Sequence, residues 1–406
     1  MDSTLDKQRR SRRRSRLIVI GSVVTLAILI AIGVSVGVVV SRNNNNKNRS
    51  TSSTSSGSSS SGSGSSGGSS GSSSGGSSSP ALDDPNDPSK FSKDPNLKKV
   101  MWAMAYTPDW ALPDFNCANK QETVIKDIQL LSQLTSRIRL YGGDCNQTAM
   151  VLEAIKVTKV DMQVYTGIYV VEKDDDAYTR QRDAVLDAIK TYGTKNIAGI
   201  TVGNEFILNY LTDRGASTSD GNSATGEEAA KILIPKIQDT RDKLNALNLD
   251  KTIPIGNSEA GFYFNNHVLE QCDYGLSNVH AWFAGTTAAD SAGWVANYFQ
   301  ETNVVPAALL SNKPKMFVSE TGWPTDAGPN AKLNAGGAEA SVANLQIFID
   351  NWVCQANKNG TGYFFFEFID EQWKENKFPG TVESHWGLFD KDYKLKDIKL
   401  PDCLAS

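Results

Sequence analysis

Glu320 closes the apolar run 315–319, after which the chain turns through Gly322, Trp323 and Pro324. Glu205 follows Asn204 at the end of a second apolar run, 197–203. A carboxylate at a strand end beside an aromatic residue suits cleavage of a sugar polymer. The acid attacks or stabilises an anomeric carbon, and the indole face stacks on a pyranose ring. A single acid in such a place can equally be an edge solubiliser; a second one changes the reading. Hydrolysis of a glycosidic bond needs one carboxyl protonated, to donate to the leaving oxygen, and one ionised, to attack. Mutual repulsion and unequal burial separate the two pKa values. Glu205 is assigned as acid/base and Glu320 as nucleophile. Asn204 is placed to bond the hydroxyl next to the attacked carbon. Glu259, which ends another apolar run, is a rival nucleophile.

The elements that must hold this pair read as an alternation. Apolar runs at 100–107, 137–141, 162–170, 197–203, 253–258, 276–282, 315–319 and 362–368 are expected strands. Between them, helical spacing covers 119–134, 148–157, 177–192, 226–246, 288–299 and 338–356, with a short helix near Val268. Near-continuous apolar strands mean burial on both faces, as in a parallel sheet. Eight such units in about 310 residues predict a (β/α)8 TIM barrel, an α/β fold with its site at the strand C-terminal ends. An open doubly wound sheet would show a glycine-rich phosphate loop after the first strand, and Tyr106-Thr107-Pro108 is not one. Tyr106 and Tyr141 end strands one and two and become candidate sugar ligands. Trp282, Phe283 and Trp323 are candidate stacking platforms. Arg139 is read as a hydrogen-bond partner of the nucleophile or a barrel brace, and His280 as a wall residue.

The N-terminal part sets an expected compartment. Residues 17–40 carry no charge and are almost wholly apolar; as a helix they rise about 36 Å, enough for a ~30 Å hydrocarbon core. Residues 1–16 hold seven Lys or Arg against two Asp, net +5, so with −4 for the whole chain the remainder is −9. The positive-inside rule then predicts a single-pass type II signal-anchor in the cell membrane, with a basic cytoplasmic tail and an extracellular domain. A cleaved signal peptide is the competing reading, but its apolar core is shorter. Residues 41–94 form an Asn/Ser/Gly-rich linker, with only Ser, Thr and Gly at 50–79, too poor in apolar groups to order. The catalytic domain is expected over 95–406. Its acidity argues against polyanionic partners such as nucleic acid and is compatible with a neutral polymer. Of five cysteines, the barrel puts Cys117 and Cys145 on the upper face in neighbouring units, and Cys354 and Cys403 on the lower. Both pairs are feasible disulfides, with Cys272 left over. Sequons stand at Asn48, Asn146 and Asn359. Metal-ligand spacing is absent, and Asp174–Asp176 reads as a helix start.

Taken together, Gly203-Asn204-Glu205, Ser319-Glu320-Thr321-Gly322-Trp323-Pro324, Arg139-Leu-Tyr-Gly142, Asp144-Cys-Asn-Gln-Thr148, Ser277-Asn-Val-His280, Phe283-Ala-Gly285 and Trp386-Gly-Leu-Phe389 resemble glycoside hydrolase family 17. The similarity runs from about residue 98 to 403. It is strongest to the fungal cell-wall branch of β-1,3-glucanases and glucanosyltransferases. The resemblance implies a retaining double displacement through a glucosyl-enzyme on Glu320, with β-1,3-glucan as the partner and no cofactor; a monomer is the expected state. The family keeps an acid–Lys–acid group after strand eight, matched by Glu371, Lys374 and Glu383, with Trp373 beside it. Departures are Ala281-Trp282 in place of Pro-Phe, Glu259 where Asp is expected, an enlarged 206–225 loop, and Cys272. A non-catalytic glucan-binding wall protein, or a hydrolase of another β-glycan, remains the alternative.

Overall fold

Eight short parallel strands close on themselves in this computed structural model, which describes residues 86–329 and 334–403. They are β1 (Ala103–Ala105), β2 (Arg137–Arg139), β3 (Gln163–Ile168), β4 (Ile197–Asn204), β5 (Ile255–Ala260), β6 (Tyr274–Asn278), β7 (Lys315–Thr321) and β8 (Tyr363–Phe365). Each pairs in parallel with its neighbours, and β1 pairs with both β2 and β8, leaving no edge. The expected TIM barrel is therefore the fold. The expected tail, the 17–40 anchor, Asn48 and most of the linker lie outside the described residues. Among the described residues, no helix is long and apolar enough to cross a membrane.

The covering helices are α1 (Gln121–Leu134), α2 (Gln147–Thr158), α3 (Asp175–Tyr192), α4 (Phe206–Asp213), α5 (Ala224–Asn245), α6 (Asn266–Leu269), α7 (Ala288–Phe299), α8 (Val342–Asn359) and α9 (Gln372–Lys377). Several of them start with ordinary capping chemistry: the side chains of Asp174, Ser223, Thr287 and Ser341 accept the N–H of Ala177, Gly226, Asp290 and Asn344. Asp174 is thus a helix cap, as read. Contacts with α1 begin ahead of residue 95, because Gln129 donates to the Pro88 carbonyl and the Asp94 N–H to Gln133.

Inside the barrel, side chains form two tiers. The lower tier is aromatic: Trp102, Tyr165, Tyr274, Phe317 and Phe364 meet edge-on or tilted, with ring centroids 5.2–6.3 Å apart. It needs Gly256 on β5, where a Cβ would stand 2.3 Å from the Tyr274 ring. The upper tier is polar and carries the candidate site. Disulfides Cys117–Cys145 and Cys354–Cys403 fasten the β1 and β2 loops and the C-terminal segment, respectively. Cys272 is a buried free thiol.

Candidate active site

One guanidinium organises the upper tier. Arg139, at the end of β2, is only 1% exposed. Its Nη1 donates to Asn278 Oδ1 on β6 (3.2 Å), to the Ser319 carbonyl (3.0 Å) and to Glu320 Oε1 on β7 (3.3 Å). Its Nη2 donates to Asn204 Oδ1 on β4 (2.5 Å) and Ser258 Oγ on β5 (2.9 Å). Arginine suits this hub because its planar fork offers fixed donors in several directions and stays charged. The guanidinium carbon lies 4.4 Å from the centre of the Tyr141 ring.

Glu320 leaves β7 into this network. His280 Nε2 lies 3.1 Å from its Oε2. Burial alone would raise the Glu320 carboxyl, but the His280 hydrogen bond and the Arg139 charge outweigh it, with Tyr141 helping, and hold it below the ordinary range. Immediately beyond, Gly322 passes so close to β8 that a Cβ would fall 1.8 Å from the Phe366 carbonyl oxygen.

Glu205 stands across the network from Glu320. Its backbone is left-handed (φ 52°, ψ 32°), and its N–H donates to the Ser258 carbonyl. Its Oε1 accepts one bond, from Asn278 Nδ2 at 2.9 Å. Asn278 is oriented for this, since its Oδ1 faces Arg139 and the Ser319 hydroxyl. Among the described residues, no cation forms an ion pair with Glu205. Burial first, and the Glu320 charge second, push its carboxyl up to about 7. One carboxyl ready to give a proton and one held ionised therefore share a single polar network. That arrangement can protonate a leaving oxygen and attack the carbon it leaves. The Asn204 Oδ1 is taken by Arg139 and Ser258, while its Nδ2 makes no hydrogen bond among the described residues, so it can serve a ligand hydroxyl.

The walls divide the remaining sequence candidates. Tyr141 faces Glu320, and half-buried Phe283 packs against His280 and Trp386 (5.9 and 5.7 Å). Trp282 is buried beside Phe283, leaving little face to offer. Trp373, half-buried on α9, lies next to Lys374. Two candidates point elsewhere. Tyr106 turns out of the barrel, and its hydroxyl donates to Asp127 on α1 at 2.7 Å; Ala103 faces inward, and strand alternation puts Tyr106 on the opposite side. Trp323 is fully buried against Phe348 of α8, and its Nε1 donates to the Glu339 carbonyl. Neither can be a sugar platform. Glu259 is no rival nucleophile either: its carboxyl is fully buried and accepts the N–H of Ile207 (2.9 Å) and, more weakly, of Leu208 (3.5 Å).

The acid–Lys–acid group differs from the expectation in one member. Lys374 Nζ meets Glu367 (2.6 Å to each oxygen) and Glu371 (3.1 Å). Glu383 makes no ion pair with it and acts only at longer range, where Lys374, His280 and Glu320 all influence it. Sequence reading also passed over Asn278, Ser258, Ser319 and Trp386, although Asn278 lies in the Ser277–His280 motif and Trp386 in the Trp386–Phe389 motif. Among the described residues, no group of three or more His, Cys, Asp or Glu is arranged to hold a metal ion.

Known proteins resemble this chain in sequence and in fold. Aspergillus flavus has a probable glucan endo-1,3-beta-glucosidase, btgC, that is 38% identical over 327 residues, 76% of this chain and 44% of that protein. The glucan endo-1,3-beta-glucosidase btgC of Emericella nidulans is 34% identical over 321 residues, 76% and 47% respectively. The chain thus spans less than half the length of these relatives. In fold, it is similar to a glycoside hydrolase family 17 beta-1,3-glucanosyltransferase from Rhizomucor miehei (TM-score 0.59, 20% identity, 76% of this chain and all of that one). An active-site mutant of the Rhizomucor enzyme, in complex with laminaritriose, aligns with a TM-score of 0.58. The BtgE/BtgC glycoside hydrolase domain matches residues 103–387, and the chain belongs to that family.

Proposed function

We propose that the barrel is a retaining glycosidase acting on internal β-1,3-glucosidic linkages of cell-wall glucan. Glu320 is the nucleophile and Glu205 the acid/base. The observation that carries this is the opposite bias of the two carboxyls, one held ionised by Arg139 and His280, the other kept protonated by burial without a cation. In the first step Glu320 attacks the anomeric carbon, the glycosidic bond breaks, and the Glu205 proton goes to the departing oxygen. Glu205, now ionised, takes a proton from water or from a sugar hydroxyl, which displaces Glu320. Asn204 Nδ2 serves the 2-hydroxyl, Tyr141 the region beside the nucleophile, and Phe283 and Trp373 the sugar faces. The names of the curated relatives support the glucan substrate.

Two measurements test the reading. A panel of β-1,3-, β-1,4- and mixed-linkage glucans and mannan should show cleavage of the β-1,3-linked polymer; turnover confined to another polymer overturns the substrate assignment. Product sizing from one defined laminari-oligosaccharide then separates hydrolysis from transfer, since only transfer makes products longer than the substrate.

We also propose the type II topology with a monomeric domain outside the membrane. Two disulfides and the exposed sequon residues Asn146 and Asn359 support an oxidising, glycosylating compartment. Release of the full chain by alkaline carbonate extraction would refute the anchor.

A further inference from the structure

We propose that Glu259 is a positioning residue for Glu205: from the neighbouring strand it caps the helix that begins at Glu205, which leaves the Glu205 carboxyl free to face the cleft. The inference rests on the reading of Glu205 as the acid/base. The first N–H groups of a helix lack partners within it, and the residue at the helix start ordinarily supplies one by folding its side chain back. Glu205 occupies that position for α4, yet its side chain makes no capping bond. It also holds a left-handed backbone, uncommon for a residue other than glycine. The orphan donors are met from outside. Asn204 on β4 pairs with Ser258 on β5, so Glu259 stands beside Glu205. The Glu259 carboxyl accepts the Ile207 and Leu208 N–H groups at the positive end of the α4 dipole. The Ser258 carbonyl fixes the Glu205 N–H from the same strand. Glu259 is fully buried and out of reach of any substrate, so it acts through Glu205 alone.

The test exploits a leaving group that needs no proton. On a laminari-oligosaccharide, glycosylation requires the Glu205 proton; on a 2,4-dinitrophenyl β-laminaribioside the phenolate departs unaided while Glu320 still attacks. Glu259→Ala should lower kcat/KM by about 100-fold on the oligosaccharide, the scale of general-acid assistance, and by less than about fivefold on the aryl glycoside. Glu259→Gln, which keeps an oxygen acceptor for Ile207, should restore most of the loss. Equal losses on both substrates, or no rescue by Gln, overturn the inference. Should Glu259→Ala lose its fold by circular dichroism, Glu259→Met carries the same test, filling a similar volume without an oxygen acceptor for Ile207. Glu205→Ala is the control. If Glu205→Ala lacks the split between substrates, the acid/base assignment has failed; if it shows the split and Glu259→Ala does not, only the positioning role has.

Discussion

The two sides of the barrel mouth treat the same residue type in opposite ways. On the β2, β6 and β7 side, Glu320 is surrounded by a guanidinium and an imidazole and is held ionised. On the β4 and β5 side, Glu205 has an amide donor, a second carboxyl beside it and no cation, and its proton is retained to about pH 7. Burial is common to both. The difference lies in what the neighbouring strands present. The charge state of each glutamate is thus set largely by side chains on other strands, above all Arg139 and His280.

The contrast can be broken most severely at the acids themselves. Glu320→Gln should lose at least on the order of 10⁴-fold in turnover on every substrate, activated or not, because no bond to the anomeric carbon can form. Glu205→Gln should lose roughly 10²–10⁴-fold on laminari-oligosaccharides but keep a burst of dinitrophenolate from the aryl glycoside. Matching losses in the two variants across both substrates would show that the acids do not divide the work as assigned. Removing the hub comes next. Arg139→Ala leaves the buried Glu320 carboxyl with His280 as its remaining partner and takes a shared donor from Asn204, Ser258, Asn278 and the Ser319 carbonyl, so unfolding experiments should register a cost of about 3–5 kcal/mol, together with a fall in kcat. A variant as stable as the parent would mean water replaces the guanidinium without loss.

A gentler change separates the two sides by pH. The kcat/KM profile of the free enzyme should be a bell with its alkaline limb near pH 7, where Glu205 loses its proton, and its acid limb at the depressed Glu320 value. His280→Phe keeps a ring against Trp386 and Phe366 but removes the donor to Glu320. Both limbs should rise, since His280 also lowers Glu205, but the acid limb rises further and the bell narrows from the acid side. An acid limb that stays in place would locate control of Glu320 in Arg139 alone.

Sequence alone exposed the barrel because each strand is buried on both faces and reads as an apolar run ending in something polar. Glu205 and Glu320 were visible for the same reason: each interrupts such a run at its C-terminal end. Side-chain direction was harder. Strand alternation from the inward Ala103 sends Tyr106 towards α1, and a three-residue β1 is too short to show that parity. Trp323 follows Gly322, where the close approach to β8 turns the chain outward. Residues 206–225, read as an enlarged loop, contain α4, whose pairs Phe206/Tyr210 and Ile207/Leu211 are at helical spacing. Lys374 selects Glu367 over Glu383 through contacts between strand end and helix, which spacing in the chain does not encode.

The rule extends beyond the cleft. Asp127 on α1 is 2% exposed, and its pKa, like that of Glu205, is raised to about 7. Burial is the first cause. The Tyr106 and Tyr393 hydroxyls oppose it, Asp109 adds to it, and Lys126 acts only at range. A folded value above the unfolded one means that the native state holds the proton more tightly. The associated stability is fully present below about pH 4, the unfolded range, and is lost as pH rises to about 7. The gap corresponds to on the order of 4 kcal/mol. Asp127→Asn cannot ionise and still accepts from Tyr106, so its urea midpoint should fall less than the parent's between pH 4.5 and 7.5. The other buried acids will keep some slope in both proteins. Parallel slopes in the two proteins would mean that Asp127 is ionised in the fold, and that burial without a cation is not sufficient to set a carboxyl's charge in this barrel.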